Sequence, residues 1–236
     1  MKKDKYIEYY PNGMKWREVT LKDGKEDGLW TQWYENGQKR REVTFKDGRK
    51  DGLWTYWYKS GQKSEEINYK DGELDGLFTK WYKSGEKKSE GTYKDGKEDG
   101  LWTTWFDNGQ KRIEGTYKDW KRDGIWTFWF DNDGQKDREE TYKDGKEIER
   151  TEWYYLKNGQ KRYEETYKDG KKDGKWNKWY SDGNKSFEGT YKEGKKDGLW
   201  TYWYENGQKM EEETFKDGEL ISQECWDEDG NEKECD

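Results

Sequence analysis

The chain has 236 residues, of which 43% are charged and 28% are apolar, and its 54 acidic and 47 basic side chains leave a net charge of −7. Aromatic residues alone make up 18%. High charge is typical of disordered chains, but those chains also have few aromatic residues, so this composition indicates a folded protein whose core consists of rings. No apolar stretch reaches the roughly 20 residues of a membrane span, and no signal-peptide pattern follows Met1. The negative charge argues against a nucleic-acid partner.

One motif of about 24 residues repeats along the chain. Its marker is the glycine of an Asn-Gly, Ser-Gly or Asp-Gly pair after an aromatic run, which occurs at Gly13, Gly37, Gly61, Gly85, Gly109, Gly134, Gly159, Gly183, Gly207 and Gly230. We therefore predict a single repeat array over residues 1–236, made of about nine repeats. It has a partial repeat at 1–28, irregular repeats around 119–159 and a capping hairpin at 219–236.

Each repeat predicts two β-strands joined by tight turns. In the repeat that contains Leu29–Phe45, Trp, Tyr, Thr and Val favour strands on both sides of Asn36-Gly37. An Asn-Gly pair between such runs predicts a two-residue type I′ turn, in which both residues have positive φ. The Asp-Gly pair that follows, Asp47-Gly48, predicts a second turn of the same kind.

The predicted turn also sets the register of the two strands. It places Thr31 opposite Glu42 and Trp33 opposite Arg40, and each face of the hairpin then carries a tryptophan. This pattern differs from the apolar-in, polar-out alternation of a sandwich. It predicts an all-β fold, an elongated, twisted antiparallel β-meander of ~24-residue two-stranded repeats in which neighbouring repeats bury one another's rings.

The segment Gly-Leu-Trp-Thr-Tyr-Trp-Tyr, which occurs in Gly52–Gly61 and again in Gly198–Gly207, resembles the MORN-repeat variant found in bacteria. The same pattern defines proteins labelled YwqK-family antitoxins, and the resemblance covers nearly the whole chain. It implies β-hairpin units in an extended, twisted sheet and a role in protein–protein association. The antitoxin label implies the neutralising half of a toxin–antitoxin pair. The family brings no catalytic residues.

A row of glutamates follows the turn glycines, each five residues after its glycine, and a lysine lies two residues after each glycine. The glutamates are Glu18, Glu42, Glu66, Glu90, Glu114, Glu139, Glu164, Glu188 and Glu212. A row of carboxylates is compatible with Ca²⁺ binding, but equivalent strands lie about 9.6 Å apart, too far for successive carboxylates to share one ion. We therefore favour glutamates that accept hydrogen bonds or pair with basic neighbours.

The tryptophan and tyrosine rows admit a second function. Flat rings stack on sugars, so a carbohydrate-binding surface module is the alternative to a protein-binding array. The same rings are also the only material for a core, and we therefore favour structural packing.

The repeat pattern breaks between Trp120 and Leu156. Trp120 replaces a turn glycine, where positive φ strains a bulky residue, so we expect the turn to change shape. An extra residue before the turn glycine, around 131–133 and again around 156–158, predicts two bulges that expose rings. Neutral drift is the alternative. The candidate partner-binding residues are Trp120, Ile148, Trp153, Tyr154 and Tyr155.

Two cysteines, Cys225 and Cys235, lie five residues on either side of Gly230. A hairpin turn at Gly230 places them opposite each other, which predicts a disulfide that closes the last hairpin. The alternative is two free thiols in a cytosolic protein. Without histidine, two cysteines do not predict a zinc site.

The sequence as a whole predicts a non-enzymatic protein that binds another protein. The resemblance to the antitoxins implies that this partner is a toxin. The chain has no histidine, no recognisable nucleophile motif and no phosphate-binding loop, so we expect no catalysis, no metal and no cofactor. The partner, the oligomeric state and the choice between a cytoplasmic location and an exported or cell-surface one, with the signal removed, stay open at this point.

Overall fold

The structure is a computed structural model that describes residues 3–131 and 134–235, and over those residues it consists of β-strands and turns without a helix. It divides into two compact units, Met1–Arg122 and Asp123–Asp236. Within each unit, strands that follow one another in the chain pair antiparallel. The prediction of an all-β antiparallel meander is therefore confirmed, whereas the single array over 1–236 stays a prediction.

The strands alternate between two types. The first unit contains β1 (Lys3–Tyr9), β2 (Lys15–Lys22), β3 (Lys25–Trp33), β4 (Lys39–Lys46), β5 (Arg49–Lys50), β6 (Gly52–Trp57), β7 (Lys63–Lys70), β8 (Glu73–Trp81), β9 (Lys87–Lys94), β10 (Lys97–Trp105) and β11 (Lys111–Lys118). The second contains most of β12 (Lys121–Trp129), then β13 (Lys136–Lys143), β14 (Lys146–Tyr155), β15 (Lys161–Lys168), β16 (Lys171–Trp179), β17 (Lys185–Lys192), β18 (Lys195–Trp203), β19 (Lys209–Lys216), β20 (Glu219–Trp226) and β21 (Glu232–Lys233). We call β1, β3, β6, β8, β10, β12, β14, β16, β18 and β20 the Trp strands. We call β2, β4, β7, β9, β11, β13, β15, β17, β19 and β21 the Glu strands.

The Asp-Gly turns have the predicted two-residue form. Asp47 has a φ of 50° and Gly48 a φ of 81°, and the flanking residues Lys46 and Arg49 pair directly. Both central residues thus occupy the left-handed region that a type I′ turn requires, and Asp tolerates that region better than most residues. This turn prediction is confirmed.

The Asn-Gly turns are longer than predicted. The backbone N–H of Gly37 donates to the carbonyl of Tyr34 at 2.9 Å, and the N–H of Tyr34 donates to the carbonyl of Gln38 at 2.8 Å. Of the Asn36-Gly37 pair, Gly37 alone has a positive φ, 81°. This arrangement is a type I turn followed by a left-handed glycine, so the predicted type I′ turn is wrong here.

The longer turn changes the register only at the strand end. Thr31 pairs with Glu42 as predicted, but Trp33 pairs with Lys39 and not with Arg40. A bulge just before Trp33 absorbs the difference. The centre of the hairpin was therefore predicted correctly and its end was not.

A ladder of tyrosine hydroxyls links each repeat to the next on the Asn-Gly side. The hydroxyl of Tyr34 donates to the carbonyl of Trp57 at 2.8 Å. The same bond is made by Tyr10, Tyr58, Tyr82, Tyr180 and Tyr204. The equivalent positions at Phe106, just before the irregular stretch, and at Phe130 and Leu156 within it hold side chains without a hydroxyl. The sequence break therefore also removes this link between repeats.

One face, which we call the aromatic face, carries the core. In the first unit the rings of Trp30, Phe45, Trp54 and Tyr69 follow one another with centroid separations of 5.6, 5.3 and 4.9 Å. Val43 is fully buried beneath them. These four rings come from successive strands, so neighbouring repeats bury one another's aromatic residues as predicted.

The opposite face, which we call the ladder face, carries the glutamate row. Each glutamate pairs with the lysine three residues before it, as in Lys39–Glu42 at 2.5 Å and Lys63–Glu66 at 2.6 Å. Thr55 donates to the same Glu66 at 3.4 Å. The glutamates thus have the predicted structural partners, a lysine of the same strand and, as at Glu66, a threonine of the neighbouring strand.

Candidate functional site

The second unit departs from its own repeat at β14. In the regular Trp strand β18, Thr201 pairs with a glutamate on each side, Glu188 of β17 and Glu212 of β19. One residue thus serves both neighbours, and Asn177 of β16 does the same between Glu164 and Glu188. The pairing of β14 is compared with this regular arrangement.

Strand β14 meets its two neighbours in different registers. The glutamate of β13, Glu139, pairs with Thr151, whereas the glutamate of β15, Glu164, pairs with Trp153. The offset is two residues, and because side chains alternate with a period of two, each residue of β14 keeps its face. Trp153 therefore stays on the ladder face, like Trp57 of a regular repeat, but towards β15 it pairs with Glu164, where the regular strand β18 has Thr201 opposite the corresponding Glu212.

The same offset replaces a tryptophan on the aromatic face with two charged residues. Arg150 lies opposite Glu140 of β13, and Glu152 lies opposite Glu165 of β15. In regular Trp strands a single ring occupies this place. The aromatic row of the second unit is thus interrupted at β14 by a cluster of charges.

Glu140 is the most deeply buried member of this cluster, with 6% of its surface exposed. Its carboxylate accepts a hydrogen bond from Arg138 Nε at 2.6 Å and another from the hydroxyl of Tyr142 at 2.8 Å. Arg138 also binds Asp137 at 2.7 Å. A buried carboxylate is costly unless charged and polar partners satisfy it, and these bonds do so.

The other two carboxylates of the cluster also bind phenols. The hydroxyl of Tyr154 donates to Glu152 at 2.7 Å, and Arg150 Nε lies 3.0 Å from the same carboxylate. The hydroxyl of Tyr167 donates to Glu165 at 3.0 Å. Three strands thus contribute one carboxylate each, and every carboxylate accepts a hydrogen bond from a tyrosine.

The phenols of this cluster titrate far above neutral pH. The hydrogen bond to Glu152, reinforced by burial, raises the pKa of the Tyr154 phenol. Burial and the bond to Glu165 raise the pKa of Tyr167 to about 12. Both groups therefore stay protonated at neutral pH and act as hydrogen-bond donors. The cluster is suited to binding by charge and hydrogen bonds, and its phenols are poorly matched to proton transfer at that pH.

The predicted partner-binding residues on β14 differ in exposure. Tyr154 is 46% exposed, whereas Trp153 is half-buried. The Trp153 ring lies between two lysines, with Nζ of Lys136 at 5.8 Å and Nζ of Lys161 at 5.5 Å from its centroid. Its indole nitrogen is buried and has no hydrogen-bond partner in the described part of the chain.

The remaining two candidates on β14 are packed. Ile148 forms a one-residue bulge between the pairs that Glu147 and Glu149 make with β13, and it is half-buried. The ring of Tyr155, also half-buried, meets the ring of Phe130 edge-on at 6.0 Å. Within β14, then, Tyr154 offers the most accessible ring.

The sequence predicted two extra residues before turn glycines, and the outcomes of these two predictions differ. The first falls on 131–133, and residues 132 and 133 lie outside the described residues. The second was predicted at 156–158, and this prediction is wrong. Gly159 N–H donates to the carbonyl of Leu156 at 2.9 Å and Leu156 N–H to Gln160 at 2.8 Å, which is the closure of every regular Asn-Gly turn. The extra residue is instead absorbed inside β14, because a register offset preserves both the turn and the side-chain alternation.

Trp120 belongs to the first unit and keeps a two-residue turn. Asp119 has a φ of 48° and Trp120 a φ of 68°, close to the values of the Asp-Gly turns, so the predicted change of turn shape is wrong. The Trp120 side chain is 54% exposed, and Nζ of Lys97 lies 3.1 Å from its ring centroid. This cation–π contact offsets part of the strain of a bulky residue at positive φ.

A disulfide joins Cys225 of β20 to Cys235, with their Cα atoms 5.4 Å apart. It closes a loop with a sequence separation of 10 residues. Next to it, β21 pairs with β20 at Cys225 and Trp226. The bond therefore lies where the last hairpin has few backbone pairs of its own.

If the pair is oxidised in its native compartment, thiol titration of the unreduced, denatured protein is expected to find neither cysteine free. Reduction is expected to loosen the β20–β21 hairpin by about 3 kcal/mol, the chain-entropy value for so short a loop. Hydrogen exchange of the β7–β10 amides is expected to stay unchanged, since repeat arrays are stabilised locally. Two reactive thiols in protein isolated without reductant contradict the prediction.

The described residues provide no other obvious chemistry. They hold no group of three or more His, Cys, Asp or Glu side chains arranged for a metal ion. In the same part of the chain, no helix is long and apolar enough to cross a membrane. The predicted absence of metal, cofactor and catalysis stays a prediction.

Sequence reasoning missed the charge cluster, although two signals were present. Glu140 stands where the first repeats have Val19, Val43 and Ile67, and Arg150, directly before Thr151, stands where a regular repeat has an aromatic-face tryptophan such as Trp54. Substituting a carboxylate for a core aliphatic residue predicts a nearby cation or donor, because a buried charge must be paired. That cation, Arg138, lies two residues before Glu140 on the same face.

Comparisons with known proteins identify the repeat. No curated protein matches the chain. Two solved structures, TcdB2-TccC3 and TcdB2-TccC3-Cdc42, are similar over 95% and 89% of this chain, with 11% and 12% identity and TM-scores of 0.25 and 0.24. The chain spans 13% and 12% of those two chains, and likenesses this weak carry no argument.

A family described as the MORN repeat variant matches six segments, 26–47, 50–71, 74–95, 98–119, 172–193 and 196–217. Together they cover more than half of the residues, and the stretch they leave between 119 and 172 contains β14 and its charge cluster. MORN repeats of this kind form a repeat scaffold or binding protein. The chain belongs to the MORN repeat variant family.

Proposed function

We propose that this protein is a non-enzymatic binding protein whose partner is another protein, and that the partner is a bacterial toxin. The first part is supported by the family and by a surface of packed rings and ion pairs. The second part is supported by the sequence resemblance to the YwqK-family antitoxins. The lack of histidine in the sequence and the raised pKa values of the cluster phenols favour binding over catalysis.

One observation carries the proposal, namely that β14 is unlike the other Trp strands of its unit. Most regular repeats present the same threonine, glutamate and lysine pattern, with Asn177 of β16 as a departure, so a partner that reads only this pattern binds in several registers. A unique complex needs a unique feature. Strand β14 supplies one, with an exposed Tyr154, a Trp153 that pairs with Glu164, and the ion pair between Arg150 and Glu152.

The chemistry of β14 suits a protein partner. Aromatic and arginine side chains dominate the binding energy of most protein interfaces. Tyr154 offers an exposed ring, and Arg150 and Glu152 beside it offer both signs of charge. A partner that pairs with both charges gains specificity as well as affinity.

Trp120 supports the proposal from the first unit. A bulky residue at positive φ costs roughly 1–2 kcal/mol, and a residue that keeps such strain is a candidate for function. Its ring is more than half exposed, which leaves one surface free for a partner while Lys97 covers another. Aspartate-glycine turns elsewhere in the chain show that the fold itself does not need a tryptophan here.

Trp120→Ala and Trp153→Ala are each expected to weaken the partner complex by more than about 1 kcal/mol. The partner is first isolated by pull-down from source lysate and identified by mass spectrometry, and titration calorimetry then measures the affinity of each variant. The matched control is Trp105→Ala, which removes a half-buried ring of the regular repeats that also lies beneath a lysine, Lys87 at 5.8 Å. Trp54→Ala is a second control, expected to lower stability more than affinity.

The proposal fails if the substitutions in the irregular stretch leave the affinity unchanged while Trp105→Ala abolishes it in folded protein. A glycan-array screen tests the carbohydrate alternative with the same variants. Packing disfavours that alternative, because Trp54, Trp126 and Trp200 are buried and present no free ring to a sugar. Sugar binding that is lost in Trp105→Ala is the outcome that favours it.

A further inference from the structure

The ladder face of the first unit carries a row of exposed leucines. Its members, which we call the leucine stripe, are Leu29, Leu53, Leu77 and Leu101, one from each of β3, β6, β8 and β10. Each of these side chains is between 47% and 58% exposed. Leu29 lies two residues before Thr31 and pairs with Thr44, which places the stripe on the ladder face. Large aliphatic side chains that meet solvent in a regular row mark a site of interaction.

The fold does not need leucine at this position. In β16 of the second unit, Lys175 occupies the equivalent place, since it pairs with Thr190 as Leu29 pairs with its own threonine. In β14 the residue that pairs with the equivalent threonine, Thr166, is Thr151. The sheet thus accepts a charged side chain and a small polar one at this place, so packing does not require the four leucines of the first unit.

A row of lysines runs beside the leucine stripe. Its members, which we call the lysine row, are Lys46, Lys70, Lys94 and Lys118, the last residues of β4, β7, β9 and β11. Each lies two residues after the partner of a stripe leucine, so it belongs to the same face, about 7 Å further along the strand. All four are exposed, and within the described residues none of them has an ion pair or a side-chain hydrogen bond. The lysine row is therefore available to an acidic partner, unlike Lys39, which Glu42 holds.

The charge of the first unit favours the same kind of partner. This unit has 27 basic and 23 acidic side chains, a net charge of +4, whereas the second has 20 basic and 31 acidic side chains, a net charge of −11. The leucine stripe and the lysine row therefore lie in the unit that carries positive charge. A segment with acidic and apolar side chains complements this surface, and a basic segment does not.

The spacing of the leucines indicates the conformation of a segment that fits them. Equivalent strands lie about 9.6 Å apart, so the leucines repeat at that distance across the sheet. A polyproline II helix has three residues per turn and advances about 9.3 Å per turn, so every third side chain meets a leucine. An α-helix advances about 10.5 Å in seven residues and is out of step by about 3 Å over the four leucines. The spacing therefore favours polyproline II.

We propose that the leucine stripe and the lysine row bind an acidic polyproline II segment of another protein, laid across the strands of the first unit. Apolar side chains at every third position contact the stripe, and acidic side chains on the neighbouring edge of the segment pair with the lysine row. A proline-rich segment has this conformation before it binds, which lowers the ordering cost of binding. The surface includes neither β14 nor Trp120, so it does not depend on the function proposed for them.

The test uses the full chain and two fluorescein-labelled peptides, one of four Leu-Pro-Glu triplets and one of four Leu-Pro-Lys triplets. The two peptides have the same leucine spacing and opposite charge. Fluorescence anisotropy at low salt is expected to show that the acidic peptide binds at least about tenfold more tightly than the basic one. Lys70→Glu and Lys94→Glu are each expected to weaken binding of the acidic peptide about threefold and to reduce its dependence on salt.

The double variant Leu53→Thr/Leu77→Thr is expected to weaken binding of the acidic peptide at least about tenfold, because two apolar contacts are lost. Thr151 shows that threonine is accepted at this position of the sheet. The matched control is Leu199→Thr, which makes the same change at a similarly exposed leucine of the second unit, and it is expected to leave binding unaltered. Equal binding of the two peptides, or of the acidic peptide by the wild type and the double variant, overturns the proposal.

Two other occupants of the surface are tested with the same double variant. Sedimentation with vesicles that contain phosphatidylserine, lost in the double variant while the acidic peptide does not bind, assigns the surface to lipid and overturns the proposal. Self-association of the chain that is lost in the double variant also overturns it, because the leucine stripe then packs against a second copy.

Discussion

Trp54→Ala is expected to lower the free energy of unfolding by about 3–5 kcal/mol, the range for deleting a large buried ring. Trp54 is 4% exposed and lies between the rings of Phe45 and Tyr69. Its indole N–H also donates to the carbonyl of Thr44 at 3.0 Å. The substitution therefore leaves a cavity in the aromatic face and an acceptor without its partner.

Urea unfolding followed by near-ultraviolet circular dichroism measures this loss through the shift of the midpoint. The control is Trp57→Ala, in the same strand but on the ladder face, where the ring is half-exposed beneath Lys39. It is expected to cost clearly less. Equal losses for the two variants contradict the assignment of the core to the aromatic face.

Gly189→Ala is expected to destabilise the second unit by about 1–3 kcal/mol, the usual cost of forcing an extra methyl group into a packed site. An added Cβ at this position lies 2.1 Å from Cδ2 and 2.4 Å from Cε2 of Trp200. Trp200 is 3% exposed, so its ring has little room to move away. The backbone of Gly189 is not in the left-handed region, and backbone strain therefore adds nothing to the loss.

A double-mutant cycle separates this clash from a general effect of alanine. Trp200→Phe makes the ring smaller, and Phe78 paired with Ile67 shows that a phenylalanine fits opposite a branched side chain at this position. Gly189→Ala is therefore expected to cost less in the Trp200→Phe background than in the wild type. If the two losses are equal, the ring of Trp200 is not what excludes a side chain at residue 189.

Much of the structure of the regular repeat could be predicted, because its turns and pairs are determined by residues close together in the sequence. The two-residue turn at Asp47-Gly48 follows from the residue types that tolerate positive φ, and the pairing of Thr31 with Glu42 follows from the turn spacing. The lysine–glutamate pairs join residues three apart in one strand, which the bulge at the start of that strand brings to the same face. Each of these features depends on residues close together in sequence, and each is present in the structure.

Features that depend on the next repeat could not be predicted in the same way. The Asn36-Gly37 turn widens to a type I form, and the hydroxyl of the adjoining Tyr34 binds the carbonyl of Trp57, 23 residues away. The hairpin sequence alone does not contain that acceptor. The same turn also closes at Phe106 and Leu156, which have no hydroxyl, so the wider turn and the bond between repeats are separate features.

The irregular repeat shows the same difference between features set by the local sequence and features set by neighbouring strands. The sequence by itself determined that something changes between Trp120 and Leu156, because an altered motif and an added residue are visible in it. Only the tertiary structure decided where the added residue goes. Pairing on two sides at once forced β14 to shift by two residues between β13 and β15, which placed Trp153 opposite Glu164 and Glu152 opposite Glu165 on the β15 side. A strand with two neighbours must satisfy both registers, and that constraint acts between strands, where the local sequence pattern does not reach.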